Sequence, residues 1–142
     1  MASSESILRN HALRLTGSRE EILDVFLRES RALSQREIEL EMEQACDRVT
    51  IYRTLSTFLE KGLLHKVLDD SGVTKFALCS TTCVEHEPHQ HDHVHFKCVQ
   101  CGNTLCVEEV HVHMPILPSG YAVQEMNVLM QGVCPDCGKT RA

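Results

Sequence analysis

Two cysteine pairs carry the clearest chemistry in the chain, Cys98-Val-Gln-Cys101-Gly102 and Cys134-Pro-Asp-Cys137-Gly138. Two residues between thiolates let a tight turn aim both sulfurs at one ion. The glycine after each pair accepts the positive φ that turns backbone N–H groups toward those sulfurs. Cys98, Cys101, Cys134 and Cys137 together make a closed tetrahedral zinc site. With no open position such a site is structural, tying the start of a sheet to its last strand. Disulfides and a thiol redox pair compete for the same residues, but two matched knuckles in a chain read as cytoplasmic favour Zn2+.

A second set of donors precedes the first knuckle. His86, His89, His91, His93 and His95 crowd one short stretch, and on a strand the alternating His91, His93 and His95 leave the same face. Further thiols, Cys79, Cys83 and Cys106, lie nearby in sequence. A mixed nitrogen and sulfur set favours zinc or another borderline metal over manganese or magnesium, which prefer oxygen.

The elements that must position these residues fall into two groups. The first 66 residues hold eight Arg and one Cys, whereas seven of the eight Cys and seven of the nine His lie between Cys79 and Cys137. Apolar residues at spacings of three and four predict three short helices, around Ile7 to Leu15, Ile22 to Leu27 and Ile38 to Ala45. Ser34 with Glu37 forms a capping box for the third, and Thr16 starts the second. A fourth helix runs from Asp47 to Gly62, with Ile51, Leu55, Phe58 and Leu59 on one stripe and Gly62 as its stop. Its other face shows Arg48, Thr50, Tyr52, Arg53, Ser56 and Thr57, side chains able to bond phosphates and base edges. Strands at Leu63 to Leu68 and Thr74 to Leu78 flank a turn at Asp69-Asp70-Ser71-Gly72. Helices followed by a hairpin are the order of a winged helix-turn-helix, although pattern alone fits a helical bundle with a solvated face equally well. Period-two segments at His91 to Lys97, Thr104 to Glu108 and Tyr121 to Cys134 predict a small antiparallel sheet.

Composition limits the rest. The 142 residues are 42% hydrophobic and 24% charged, an ordinary folded mix, but only 4% aromatic, so a core built on packing alone would be thin and metal must help hold it. The net charge of −6 divides evenly about Asp70, which leaves no basic half to announce a nucleic acid. No leader sequence and no apolar run of about 18 residues is present, so the expectation is a soluble cytoplasmic protein without membrane contact.

With both halves read, the chain resembles the ferric uptake regulator family of metal-dependent repressors, most closely its zinc-sensing branch. Leu13-Arg-Leu-Thr-Gly-Ser-Arg19 is similar to the family's first-helix motif. Val49-Thr-Ile-Tyr-Arg-Thr-Leu55 with Leu59-Glu-Lys-Gly-Leu-Leu64 resembles its recognition helix and exit. The stretch from His91 to Gly102 resembles its metal signature, and the second knuckle follows. The resemblance implies an α+β chain with a winged-helix DNA-binding domain over residues 1–78 and an α/β metal-binding dimerisation domain over 79–142. It implies a homodimer on a palindromic double-stranded operator, Tyr52 and Arg53 reading the groove beside Thr50, and Arg14 and Arg19 near the backbone or minor groove. It places a regulatory metal on His65, Cys79, His93 and His95, an N3S set suited to Zn2+. Cys106 stands where iron- and peroxide-sensing members carry an acidic ligand, and Met126 where they carry a histidine. The stretch from Ser80 to Pro88 adds Cys83, His86 and Glu87. These three, with His89, His91, Cys106, His111 and His113, form the pool for an auxiliary site. Residues 109–120, with Pro115 and Pro118, are too short and broken for the family's long dimer helix.

The alternatives are an iron- or peroxide-responsive regulator using Fe2+ or Mn2+, a metal buffer, and a thiol redox protein. No His-Glu-x-x-His motif, nucleophile elbow or phosphate loop appears, so neither an enzyme nor a small-molecule substrate is expected.

Overall fold

The computed structural model describes residues 3–44, 46–78, 93–113, 115–124 and 126–139. Four helices open the chain: α1 (Ser4–Asn10), α2 (Gly17–Glu29), α3 (Gln35–Glu41) and α4 (Arg48–Glu60). Each starts on an oxygen that takes an otherwise unpaired N–H of the first turn: Ser3, Thr16, Ser34 and Asp47. At Ser34 the capping box is complete, with Glu37 N–H bonding the Ser34 hydroxyl and the Glu37 carboxylate accepting from Ser34 N–H. Helix α3 is shorter than the apolar pattern suggests. Met42 caps it in an extended conformation, and Ala45 lies outside the described residues. Helix α1 likewise ends before Ala12, which takes a positive φ of 56°. After α4, Gly62 adopts φ 73°, the left-handed stop expected of a glycine there.

The apolar stripes of α1 to α4 meet in one core. Leu8, Ile22, Phe26, Ile38, Ile51 and Phe58 are among its buried members, and burying each such side chain contributes about 1.5–3 kcal/mol. A three-stranded sheet closes one side: β1 (Leu33–Ser34), β2 (Leu64–Val67) and β3 (Lys75–Leu78), in the order β1-β3-β2. Strands β2 and β3 form the antiparallel hairpin expected around Asp69–Gly72.

The second sheet differs from its sequence-based expectation. It consists of β4 (His93–Cys98), β5 (Thr104–His111) and β6 (Leu129–Gly132), ordered β5-β4-β6. Strands β4 and β5 are antiparallel, but β4 and β6 run parallel. The sheet is therefore mixed, because the chain crosses over through residues 112–128 instead of turning back as a hairpin. Only Leu129–Gly132 of the Tyr121 to Cys134 segment is strand, whereas β5 continues past Glu108 to His111. A short helix, α5 (Pro135–Gly138), follows. Among the described residues no helix lies between β5 and β6, and no helix is long and apolar enough to cross a membrane.

Candidate metal centres and DNA-reading helix

The two knuckles come together because β4 and β6 are neighbours. Cys98 ends β4 and pairs with Gly132 of β6, two residues before Cys134. The donor sulfurs of Cys98, Cys101, Cys134 and Cys137 lie within 4.8 Å of one another, and Cys101 Sγ is 4.0 Å from Cys134 Sγ. A tetrahedron with Zn–S bonds of about 2.3 Å has edges of about 3.8 Å, so the four sulfurs are already gathered at the scale of a zinc site. Cys98 and Cys134 are buried, and none of the four is in a disulfide. Backbone N–H groups of Cys101 and Cys134 each donate to Cys98 Sγ at 3.4 Å and bring that thiol down to about 6. Hydrogen bonding with Cys134 holds Cys137 up at about 12. A divalent cation among the sulfurs removes that opposition, since a coordinating thiol ionises outright.

Gly102 has the positive φ expected of it, 80°. Its own N–H bonds Cys98 O at 2.9 Å, closing the turn that aims the Cys101 N–H at sulfur. Gly138 does not repeat this, because the second knuckle is folded into α5 and Gly138 is helical.

The second cluster joins the two sheets. His65, the second residue of β2, and His95 on β4 are both buried, their rings stacked with centroids 5.2 Å apart and Nε2 atoms 3.1 Å apart. Two nitrogens on one zinc at about 2.0–2.1 Å stand about 3.3 Å apart, so the pair already converges on one point. Cys106 completes the group, all three donor atoms lying within 4.8 Å. Sequence reasoning placed Cys106 in the auxiliary pool. Its signal was the first knuckle itself, which is the turn of the β4–β5 hairpin: Lys97 pairs Thr104 and His95 pairs Cys106, so residues equidistant from the turn share a face.

The other expected ligands divide as follows. Cys79, Cys83, His86, Glu87, His89 and His91 lie outside the described residues. Leu78, just before Cys79, pairs with Leu64, the neighbour of His65. His93 begins β4 with its backbone opposite His111, and the pairing shifts between His93 and Val94. His113 is exposed and belongs to neither cluster.

The helix-turn-helix is α3, residues 42–47 and α4. Glu21 of α2 fixes the connection, its Oε1 accepting from the backbone N–H of Glu43 at 2.7 Å and of Gln44 at 3.0 Å. Sequence reasoning missed Glu21, for nothing in the periodicity of α2 shows where its carboxylate reaches. Gln35 Nε2 also donates to Arg48 O, tying α3 to α4. On α4, Ile51, Leu55 and Phe58 are buried while Tyr52 and Arg53 are exposed, and Thr50 is half-buried. Arg14 is exposed, and the Arg19 guanidinium donates to its carbonyl at 2.9 Å.

Comparison with known proteins gives a consistent picture. The family model described as "Ferric uptake regulator family" matches residues 10–131. A ferric uptake regulation protein of Staphylococcus epidermidis is 27% identical over 141 residues, covering 94% of this chain and 93% of its own. Among solved structures, a zinc uptake regulator complexed with zinc and DNA superposes with a TM-score of 0.64 at 23% identity, covering 96% of this chain and 91% of that one. The Vibrio cholerae ferric uptake regulator superposes with a TM-score of 0.57 at 19% identity, covering 92% and 98%.

Proposed function

The chain belongs to the ferric uptake regulator family of metal-responsive transcription regulators, and on that premise we propose that it is a repressor whose own signal is zinc. Family members are regulators and not enzymes. The observation that carries the zinc reading is the cluster of buried His65 and His95 with half-buried Cys106, between β2 and the second sheet. Two imidazoles and a thiolate are a borderline-soft set that suits zinc better than manganese, whose preferred donors are oxygens. The resemblance adds Cys79 and His93 to this neighbourhood, and either one supplies the fourth donor of a tetrahedral zinc. Cys98, Cys101, Cys134 and Cys137 hold the structural zinc, and its chemistry there is to fix the sheet.

The cluster sits where a metal can act as a signal. His65 belongs to the wing, three residues after the left-handed Gly62 that follows α4, and His95 and Cys106 belong to the mixed sheet. An ion bound by both restricts how the wing, and with it α4, is set against the rest of the chain. Metal then shifts the population toward one setting to the degree that this setting binds it more tightly. Tyr52 and Arg53 read base edges, Thr50 supports them, and Arg14 and Arg19 approach the DNA backbone or the minor groove. Ile116, Leu117, Tyr121 and Val123 between β5 and β6, and Met130 on β6, are exposed, apolar side chains that suit contact with a second copy of the chain, as a palindromic operator requires.

The test is operator binding, on DNA selected from a random pool, by protein stripped of its weakly held metal and titrated with buffered zinc, iron(II) and manganese(II). Restoration by zinc at much the lowest free concentration is the expected result. Preferential restoration by iron(II) or manganese(II) reassigns the signal, and binding indifferent to metal removes the cluster from the switch.

A further inference from the structure

The wing meets the second sheet through another contact, which uses neither cysteine nor histidine. Asp69 follows β2 in the hairpin turn, and its side chain is fully buried. Its Oδ2 accepts from Thr104 Oγ1 at 2.8 Å and from Lys75 Nζ at 2.9 Å, with Lys97 Nζ at 3.8 Å. Its Oδ1 accepts from the Ser71 backbone N–H at 2.9 Å and from the Ser71 hydroxyl. Asp70 beside it pairs with Lys97 at 2.9 Å. Thr104 is completely buried, and its carbonyl accepts the Ala32 N–H at 2.8 Å.

The register shows why this matters. Lys97 pairs with Thr104, and His95 with Cys106, on the same two strands. Residues two apart on a strand share a face, so one face of the β4–β5 hairpin presents both pairs. Opposite it, His65 and Asp69 lie four residues apart on β2 and its turn. A buried carboxylate must be well partnered to stay charged. Burial works to raise the Asp69 carboxyl, yet hydrogen bonds from Ser71, Lys75 and Thr104 outweigh it and hold it well below the usual carboxylate range.

We propose that Asp69 and Thr104 form a metal-independent clasp that seats the wing on the sheet, which makes Asp69 a positioning residue for the regulatory ion. The metal part of this inference rests on the reading of His65, His95 and Cys106 as ligands. With the clasp closed, His65 already stands against His95 and Cys106 when the ion arrives. With it broken, metal binding must also carry the ordering of wing on sheet, so apparent affinity falls while the ligand set is unchanged.

The experiment compares full-length protein carrying its structural zinc with Asp69→Asn and with the isosteric Thr104→Val. Cobalt(II) is titrated by visible absorption, and amide hydrogen exchange is followed at Ala32 and at Leu63, whose N–H bonds Phe58 O inside the helical core. Both variants are expected to bind cobalt about tenfold more weakly and to reach the same final spectrum. They are also expected to exchange Ala32 faster with Leu63 unaffected. Unchanged exchange at Ala32 overturns the clasp, and faster exchange with unchanged cobalt affinity overturns its positioning role. Should the parent protein take up no cobalt at this cluster, the metal-ligand reading fails and with it the positioning role. Ala32 exchange then still decides the clasp.

Discussion

Arg53 and Tyr52 occupy consecutive exposed positions on α4 while Ile51 and Thr54, on either side, are buried, so the helix offers them outward from a fixed base. An arginine bidentate to guanine accounts for about 1–3 kcal/mol of discrimination. Arg53→Ala is accordingly expected to weaken operator binding by about 1–3 kcal/mol, with metal content and thermal unfolding unchanged. A quantitative gel-shift assay checks this, and a variant that binds like the parent takes Arg53 out of the reading set. At this scale much was legible in the sequence. The four knuckle cysteines announce themselves because two-residue spacing has a local geometric meaning, and His65 and His95 converge as the resemblance implied. Asp69, Thr104 and Glu21 were not legible. Their roles come from partners 35, 35 and 22 residues away, and no local pattern encodes such a reach.

Among the elements, the helices were readable to within a residue or two at most ends because their boundaries are chemical: Ser34 and Asp47 start helices through their side chains, and Gly62 ends one through its φ angle. Strands were harder, since β6 gains its partner only when residues 112–128 carry it back beside β4. Helix α3 is tied to α4 and depends on its capping box. Burial works against ionisation of Glu37, but bonds from Arg31 at 2.7 Å and from Ser34 prevail and lower its carboxyl below the ordinary value. A group whose folded value is depressed adds stability above its unfolded value, about 4.3 for glutamate. That stability is lost as pH falls through the folded value. Glu37→Gln is therefore expected to flatten the acid limb of the unfolding curve, as measured by urea midpoints between about pH 3 and 6. An acid limb identical to that of the parent would show that the box contributes no pH-dependent stability.

The whole molecule divides its means of support. The large apolar cluster lies in the helices, the first sheet and the turns between them, whereas among the described residues of the second sheet the buried ones are Val94, His95, Cys98 and Thr104, with Cys134 just after it. That sheet has few large side chains to hold it, which is what a chain with 4% aromatic residues foreshadowed. Cys98→Ser removes both a ligand of the proposed structural zinc and the acceptor of two backbone N–H bonds, and is expected to release zinc and unfold the second sheet while α1 to α4 stay folded. Zinc analysis together with helix and sheet signals in circular dichroism checks this, and a mutant with an intact sheet would remove the structural assignment. The parallel pairing of β4 with β6 carries a further consequence, for kinetics. Cys98 and Cys134 are 36 residues apart, and closing a loop of that length costs on the order of 3 kcal/mol in chain entropy. The first knuckle is local and can take up an ion while the rest of the sheet is unformed. Zinc would then act as a tether that captures the distant second knuckle, making the rate of refolding depend on the supply of metal as well as on the chain.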